Sequence, residues 1–315
     1  MVLVLSLMAC DFGAAPAPGD TTEVVFEVPK GATAKGLGDE LAAAGLVTSD
    51  GNWQWFLRLG GDGSCLKAGK HRTTRSMSAP ELLAALCGAP IPDDVPFTVV
   101  EGWRAKDIDA ALAEKKLIEA GQYLAATESA SGYTAAWTLP GRNLEGYLFP
   151  ETYLVSPDRF EVRAFVQRQL DLFGERFAAK AALEGRTLDE VVVVASMIER
   201  EEPSPDNRRL VAGIMWKRLD AGWNLGIDAT SRYTLADWND EKAFLKQLFD
   251  PKEPYNTRLR PGLPPTAIGN PGLRSLEAAA SPEDTAYWYY LHDATGKIHP
   301  SKSVAEHDAL KRKYL

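Results

Sequence analysis

The stretch VVVVASMIEREEPSP, residues 191–205, joins eight uncharged residues to three glutamates and ends in two prolines. It follows TLDE (187–190), a capping box in which the threonine caps a helix and the glutamate three residues later reaches back to the cap. We therefore expect a helix that begins near Leu188 and is ended by the prolines, which cannot continue it. Because the apolar run leaves no polar side on this helix, we expect it to be buried on nearly all sides.

The three glutamates that end this helix have two interpretations. Either they are ordinary solvated charges paired with nearby arginines, or one of them is held at the edge of the buried surface to move a proton. Glu199 lies one turn beyond Ala195 and is the closest of the three to that surface, and desolvation raises a carboxyl pKa so that the group can act as a general acid near neutral pH. For Glu202 we keep the solvated interpretation, and for Glu199 the stretch alone leaves both open. Candidate ion-pair partners are Arg200, Arg208 and Arg209.

Composition and charge exclude some classes of function. The chain has 315 residues, of which 45% are hydrophobic and 25% charged, so it can bury a substantial core. Its net charge of -8 and its pI of about 5.2 argue against nucleic acid as a partner, because phosphate binding needs a basic surface. Sugars, peptides and small molecules are all compatible with this balance.

The N-terminus, residues 1–22, is predicted to be an export or anchoring segment. Its apolar run, residues 1–9, is shorter than the roughly 20 residues that a membrane-spanning helix needs, and it fits the apolar part of a signal peptide better. The letters LMAC, ending at Cys10, resemble a bacterial lipoprotein cleavage site and make Cys10 a candidate lipidation site. Two alternatives stay open: the tail of a longer membrane anchor, or a disordered start. If the chain is exported, the Ala-, Pro- and Gly-rich residues up to Asp20 would form a tether.

The other cysteines and the histidines predict no metal centre. An exported chain meets an oxidising environment, so Cys65 and Cys87 are a candidate disulfide, although two reduced and buried thiols fit the sequence equally well. The sequence contains no Cys or His spacing typical of zinc.

A repeat organises the first third of the chain. FEVPKGATAKGLGDELAAAGLV (26–47) and FTVVEGWRAKDIDAALAEKKLI (97–118) align without a gap, and each predicts a short alternating strand, a glycine turn and an amphipathic helix. NWQWFLRL and MSAPELLAALC, which follow the first copy, predict two further helices. A strand with paired helices is the plan of a LysM-like module, which binds N-acetylated glycans, and a spacer or docking domain explains the repeat equally well. We expect this module to span residues 23–95.

Polar residues beside aromatic ones indicate where a sugar would bind. LEGYLFPETYLVSP (144–157) predicts strand and loop, with Glu145 and Glu151 on either side of aromatic residues. Aromatic rings stack on the C–H faces of sugars and carboxylates bind their hydroxyl groups, although an ordinary packed loop explains the same residues. The proline-rich segment after residue 254 predicts a rigid loop that presents polar groups. These groups belong to Tyr255, Asn256 and Thr257.

The C-terminal half predicts mainly helices. Residues 159–183 form one long amphipathic pattern, and NRRLVAGIMWKRLDAG (207–222) forms another that Gly222 closes. GNPGLRSLEAAA predicts a helix capped by Asn270. AYWYYLHDATGKIHPS predicts a strand hairpin, and SVAE (303–306) predicts a capping box that starts the terminal helix.

Several motifs occur together in the order typical of one family. They are EGYLFPETY (145–153), ASMIERE (195–201), RLVAGIMWKRL (209–219), DAT (228–230), YNT with GLPP (255–265), NPG with SLEAA (270–279) and SKSVAEH (301–307). In this order they resemble the endolytic murein transglycosylases, the YceG-like family, and the resemblance runs from about Val24 to the C-terminus. ASMIERE and YNT with GLPP are the most specific of these motifs.

The resemblance implies an α+β protein in which one or more LysM-like modules precede a mixed α/β catalytic domain with helices and a small sheet. We place that domain at residues 96–315, beginning with the second repeat copy at 97–118. The resemblance also implies an enzyme of the cell envelope that is attached to the inner membrane, through an N-terminal anchor or a lipid, and faces the periplasm. Such an enzyme cuts nascent peptidoglycan strands internally, works beside peptidoglycan synthases and needs no metal or organic cofactor.

The resemblance places the catalytic glutamate in ASMIERE. We assign the role to Glu199, with Glu201 as the alternative. Glu199 would protonate the oxygen between MurNAc and GlcNAc, and the C6 hydroxyl of the sugar would close a 1,6-anhydro end, so that neither water nor a second carboxylate is required. Asp228 or Glu145 is a candidate second acid that stabilises charge or holds the sugar. If the assignment is right, Glu199 lines a cleft with Asp228 and Asn256.

Contacts with the substrate are the part of the resemblance that the sequence leaves most open. Ala229 replaces a proline of the family pattern, and Arg258 replaces a tyrosine. These departures leave an alternative from another class of function, a non-catalytic glycan-binding scaffold of a cell-wall synthesis complex. The candidate substrate-binding residues are Glu145, Glu151, Asp228, Thr230, Tyr255, Asn256 and Thr257.

Overall fold

The computed structural model describes residues 13–91, 93–183 and 185–315. The chain divides into two compact units, one that ends at Asp94 and one that spans Val95–Leu315. Cys10 and the apolar run that precedes it lie outside the described residues, so the lipidation site and the anchor stay predictions. Within the described ranges, no helix combines the length and the hydrophobicity needed to cross a membrane.

The N-terminal unit, as far as residues 13–91 describe it, pairs two antiparallel strands and packs helices with them. Its elements in chain order are β1 (Glu23–Val28), α1 (Gly38–Ala43), α2 (Asp50–Arg58), β2 (Gly69–Thr74) and α3 (Ala79–Cys87), with 3₁₀ turns at Ala34–Leu37 and Gly63–Cys65. The register of β1 and β2 sets Phe26 opposite His71. Leu41, Trp53 and Leu82 are fully buried in the core of this unit.

A disulfide joins Cys65 to Cys87 in this unit, with the Cα atoms 5.1 Å apart. It connects the 3₁₀ turn before β2 to the last residue of α3. The strand β1 and the helices α1, α2 and α3 agree with the elements predicted from the sequence, whereas β2, which lies between α2 and α3, was not predicted. The identity of the unit as a LysM-like module stays a prediction.

The C-terminal unit consists mainly of helices, joined by short antiparallel strand pairs. Its elements are β3 (Val95–Thr98), α4 (Ala105–Glu114), α5 (Gln122–Thr127), β4 (Thr152–Val155), α6 (Val162–Phe173), α7 (Leu188–Glu201), α8 (Arg208–Asp220), α9 (Asp228–Arg232), α10 (Glu241–Leu248), α11 (Leu273–Ala280), β5 (Tyr289–His292), β6 (Ile298–Ser301) and α12 (Val304–Tyr314). β3 pairs with β4, and β5 pairs with β6 in the predicted hairpin. The described chain is thus a mixed α+β protein with small sheets.

The two repeat copies, one in each unit, adopt the same local structure. In each copy a glycine with positive φ follows the strand, Gly31 at 82° and Gly102 at 78°. Helices α1 and α4 then end in a left-handed residue, which is Gly45 (φ 71°) in the first copy and Lys116 (φ 58°) in the second. The same pair of backbone hydrogen bonds closes both helices, and glycine adopts this conformation without strain whereas lysine does not.

Helix α7 is the centre of the C-terminal core. The predicted capping box is present, since the Thr187 and Glu190 side chains each accept a hydrogen bond from the backbone N–H of the other. The eight residues from Val191 to Ile198 are each at most 2% exposed, and α7 packs against α8, α9 and α11. Valine is a weak helix former, but fully burying a side chain of this kind is worth roughly 1.5–3 kcal/mol, so tertiary packing stabilises the helix.

Two predicted helix boundaries are wrong. The pattern at 159–183 contains the shorter helix α6, which passes into a π-helical turn at Gly174–Ala178. The Trp137 ring packs closely on this turn, since a Cβ on Gly174 would lie 2.7 Å from Trp137 Nε1. Asn270 does not cap α11, because the N-cap is Gly272. Asn270 is instead 0% exposed, and its side chain binds the loop that contains Gly146.

Candidate active site

A short turn after α7 brings the start of α8 back against the end of α7. Pro203 stops the helix, and the 3₁₀ turn Pro205–Asn207 reverses the chain within a few residues. Arg208, the first residue of α8, is only 6% exposed as a result. The three glutamates at the end of α7 therefore face different surroundings.

Glu202 is fully buried, which overturns the expectation of a solvated charge. Its Oε2 lies 2.9 Å from His292 Nε2, and its Oε1 accepts a hydrogen bond from Ser204 N at 2.8 Å. Arg208 Nε donates to the Glu202 carbonyl oxygen at 3.1 Å. A buried carboxylate needs such partners, and these contacts attach the end of α7 to β5.

Glu199 is held in a buried ion pair. Its Oε1 lies 2.9 Å from Arg208 Nη2, and the two side chains are 6% and 7% exposed. Its Oε2 accepts hydrogen bonds from Gly272 N at 3.0 Å and from Arg208 Nη1 at 3.3 Å. Arg208 is thus the partner among the three predicted arginines, and both carboxylate oxygens of Glu199 are occupied.

Glu201 lines an open cavity of about 760 Å³ together with Asp228. Tyr290 donates a hydrogen bond from its hydroxyl to Glu201 Oε2 at 3.3 Å. Because alternate residues of a strand share a face, Tyr290 and His292 of β5 bind Glu201 and Glu202 from the same side. The expected cleft with Asp228 therefore contains Glu201 and not Glu199.

The surroundings of Glu201 favour its protonated form. Burial raises the pKa of this carboxyl group, and the negative charge of Asp228 raises it further, while the hydrogen bonds from Tyr290 and the Ala229 backbone and the charge of His292 oppose the shift. Asp228 is itself paired with Arg258 at 2.6 Å, and both side chains are 45% exposed. A carboxyl group with a raised pKa thus lines an open cavity beside a half-exposed ion pair.

The predicted polar loop is largely internal. Asn256 is 0% exposed, and its amide donates to the backbone carbonyls of Gln247 and Leu248. Thr257 is 2% exposed and its hydroxyl accepts from Ile227 N, while Thr230 is 0% exposed and bonds Thr257 at 3.1 Å. These side chains position the loop, and Arg258 is the neighbouring side chain that reaches the cavity.

Tyr255 and Glu151 also lie outside the lining of this cavity. The Tyr255 hydroxyl is 2.8 Å from Thr266 Oγ1, and its ring packs on Tyr233 with the centroids 4.7 Å apart. Glu151 is exposed, and its carboxylate accepts a hydrogen bond from the adjacent Thr152 N. Direct contact of either residue with substrate stays a prediction.

Glu145 is a buried carboxyl group at the N-terminus of α4. It is 4% exposed and accepts hydrogen bonds from Ala105 N, Asn270 Nδ2 and the Tyr233 hydroxyl. Burial raises its pKa to about 7, although the hydrogen bonds from Ala105 N and the Tyr233 hydroxyl and the charge of Arg104 oppose the shift. Glu145 joins three segments of the C-terminal unit and does not line the cavity of Glu201.

Comparison with known proteins places the chain in a family, because the sequence model of the YceG-like family matches residues 26–313. The chain belongs to the YceG-like family. An endolytic murein transglycosylase of Bacillus subtilis (strain 168) is 25% identical over 310 residues, which cover 93% of this chain and 85% of the relative. One of Streptococcus pneumoniae (strain ATCC BAA-255 / R6) is 24% identical over 319 residues, which cover 90% of this chain but only 57% of that relative.

A solved structure shows the same YceG-like fold. A YceG-like protein of Listeria monocytogenes superposes with a TM-score of 0.58 at 22% identity, covering 92% of this chain and 99% of that one. At this identity the likeness concerns the fold alone.

Sequence reasoning missed the residues that surround Glu201 in this YceG-like chain. Arg258 was noted only as a departure, and Tyr290 only as part of a strand. The preference for Glu199 followed from its place one turn beyond Ala195 and from the family motif, and it did not foresee that Arg208 returns to the end of α7. The closely spaced prolines after α7 were the available signal, because they force a tight connection that brings the next basic residue back to the helix end.

Proposed function

We propose that this chain is an endolytic murein transglycosylase that cleaves peptidoglycan glycan strands. The observation that carries the proposal is Glu201, a carboxyl group with a raised pKa that lines an open cavity beside Asp228. Membership of the YceG-like family and the names of the relatives support the same activity. The cavity is large enough to hold several sugar-sized groups, as ligand-binding clefts typically are.

Glu201 is the general acid in this proposal, in place of Glu199. A general acid needs a proton near neutral pH and access to the substrate, and Glu201 has both a raised pKa and a place in the cavity wall. Glu199 has both oxygens bound by Arg208 and Gly272, and it does not line the cavity that contains Glu201 and Asp228. Its role is to fix the turn that positions Glu201.

The reaction needs one carboxyl group that acts twice. Glu201 donates its proton to the glycosidic oxygen, the C1–O bond of MurNAc breaks, and the leaving sugar departs as an alcohol. The C6 hydroxyl oxygen of the same MurNAc then bonds to C1, and the ionised Glu201 takes the hydroxyl proton. The product is a 1,6-anhydro end, and the acid returns to its starting form. Most glycosidases that use water need a second carboxylate, whereas here the substrate supplies the nucleophile.

Digestion of purified peptidoglycan with the full chain tests this function. The expected products are glycan fragments with 1,6-anhydro ends, identified by mass spectrometry. Glu201→Gln is expected to lower the rate by about 10²–10⁴-fold, the usual contribution of general acid catalysis. Glu199→Gln, which leaves the acid in the cavity, should keep most of the activity at temperatures where it stays folded.

Two results would contradict the proposal in different ways. A wild-type chain that binds glycan but releases no anhydro ends would support the non-catalytic scaffold. A folded Glu199→Gln variant as inactive as Glu201→Gln would return the acid to Glu199.

The N-terminal unit is proposed to be a LysM-like glycan-binding module, on an enzyme attached to the inner membrane and facing the periplasm. The support is its strand, helix, helix, strand order and its own buried core. Co-sedimentation of residues 13–94 with insoluble peptidoglycan tests the binding, and protease accessibility in spheroplasts tests the location. If residues 13–94 stay in the supernatant, the glycan-binding role is rejected. If the chain is protected from protease in spheroplasts, the periplasmic location is rejected.

A further inference from the structure

An aromatic cluster borders the cavity of Glu201, and two of its three rings line that cavity. It consists of Trp223, Trp288 and Tyr289, and we call it the indole platform. The Trp223 ring centroid lies 4.5 Å from that of Trp288, with the planes 30° apart, and 6.1 Å from that of Tyr289. Trp223 and Tyr289 line the cavity, and Trp223 is 41% exposed. A large apolar ring is therefore partly exposed in the wall of the cavity that the proposed acid also lines.

The backbone and the basic residues of α8 hold the indole platform in place. Gly222 (φ 71°) ends α8 in a left-handed conformation, and Trp223 N donates to Arg218 O at 2.8 Å, as in a Schellman motif. Arg218 Nε donates to Trp288 O at 2.8 Å, and Lys217 Nζ lies 4.4 Å from the centroid of the Trp288 ring. One face of Trp223 thus packs against Trp288, which is itself held by Arg218 and Lys217. Binding of a ligand would therefore cost little conformational entropy of the Trp223 side chain.

The groups around the platform suit a neutral sugar ring. Asn224 and Lys311 line the cavity beside the paired Asp228 and Arg258, so hydrogen-bond donors and acceptors flank the exposed indole. A hexopyranose presents an apolar C–H face to a ring and hydroxyl groups at its rim, which matches an aromatic surface with a few polar groups beside it. The mixed signs of charge do not favour a strongly anionic ligand.

We propose that Trp223 forms a sugar-stacking subsite that holds one hexopyranose of the glycan strand next to the bond at Glu201. The identity of the strand rests on the proposed function. The subsite itself rests on the exposure of Trp223, its bracing by Trp288 and its continuity with the cavity of Glu201. A stem peptide belongs to another chemical class, and its binding on Trp223 is an outcome that the experiment separates.

Binding is measured with the full chain carrying Glu201→Gln, so that turnover does not interfere. The probe is linear GlcNAc–MurNAc strands from which the stem peptides have been removed, and the method is isothermal titration calorimetry. Trp223→Ala is expected to weaken the Kd about tenfold, whereas Trp223→Phe, which keeps an aromatic face, should stay within about threefold. Phe249→Ala is the matched control, because Phe249 is 76% exposed and outside the cavity lining, and it should leave the Kd unchanged.

The outcomes distinguish this subsite from the proposed activity. The subsite would be overturned if the Trp223→Ala variant has the same Tm as the Glu201→Gln chain and binds stripped strands with the same Kd. Trp223-dependent binding of stem-peptide-bearing strands alone would assign the surface to peptide and overturn it as well. A third outcome separates the two proposals. If binding of stripped strands depends on Trp223, but the wild-type chain, which keeps Glu201, releases no anhydro ends, the subsite stands and the catalytic function is rejected.

Discussion

Glu201 and Asp228 line one cavity, and the charge of Asp228 raises the pKa of Glu201. Asp228 is the first residue of α9, and Glu201 is the last residue of α7, so the packing of these two helices sets the relationship. Burial raises the pKa of Glu201, and the charge of Asp228 adds to this effect without entering its hydrogen bonds. The pair thus resembles two-carboxylate sites in which one group tunes the other, although only one of them needs to move a proton.

Asp228→Asn is expected to narrow the pH range of cleavage on its alkaline side. A general acid is active while it is protonated, so the rate falls as pH rises through its pKa. Loss of the Asp228 charge lowers the pKa of Glu201, and it also frees the positive Arg258, which acts in the same direction. The pH profile of kcat/KM checks this, and an alkaline limb that stays in place or moves to higher pH would contradict the coupling.

Arg258→Tyr is expected to move the alkaline limb the other way. Arg258 lies beside Asp228 and its charge interacts with that of Glu201, so its removal leaves Asp228 unpaired and raises the pKa of Glu201. Equal shifts in both variants would show that the limb reports another group.

Arg208→Met is expected to destabilise the C-terminal unit by about 3–5 kcal/mol, because it leaves the buried carboxylate of Glu199 without its counter-charge. Urea unfolding at neutral pH measures the loss. Adding Glu199→Gln to Arg208→Met should restore part of it, because the uncompensated charge is then absent. A double variant less stable than Arg208→Met would show that Glu199 is not stabilised through this pair.

The elements that local rules determine could be predicted from the sequence, and the contacts between them could not. The start of α7 and the β5–β6 hairpin follow from a capping box and from alternation, which act within a few residues. The choice between Glu199 and Glu201 depends on Arg208, nine positions from Glu199, and on Tyr290, 89 positions from Glu201. No periodic pattern encodes which of two neighbouring glutamates such partners reach.

Buried polar side chains are the other class that sequence reasoning placed wrongly. Asn270 has the sequence context of a helix cap, yet its side chain lies between the Glu145 loop and the backbone of Trp103. Glu202 stands in a charge run, yet it is enclosed by β5. Composition predicts exposure for both residue types, and only the tertiary fold supplies the partners that make burial possible.

Glu145→Gln is expected to flatten the pH dependence of stability. The pKa of Glu145 is about 7 in the folded chain against an ordinary value of 4.5, so the folded state binds the proton more tightly. Stability from this group is therefore complete below pH 4.5 and is lost as pH rises towards about 7, by about 3 kcal/mol at most. Glutamine keeps an oxygen for Ala105 N and cannot ionise.

Unfolding free energies of wild type and Glu145→Gln at several pH values measure this contribution. The difference between them should grow in favour of glutamine from pH 4.5 to about 7 and stay constant above that. A constant difference across the whole range would show that Glu145 has the same pKa folded and unfolded.

Lys116→Gly is expected to stabilise the C-terminal unit by about 0.5–1 kcal/mol. Lys116 follows α4 with φ at 58°, a conformation that costs a non-glycine residue on the order of 1–2 kcal/mol. Glycine removes this cost, but part of the gain in stability is offset by the greater freedom of glycine in the unfolded chain.

The first repeat copy supplies the reciprocal control, because Gly45 closes α1 at φ 71° with the same hydrogen bonds. Gly45→Ala should therefore destabilise the N-terminal unit by about 1 kcal/mol. If urea unfolding instead finds Lys116→Gly neutral or destabilising, the Lys116 side chain contributes contacts that outweigh the strain of its backbone.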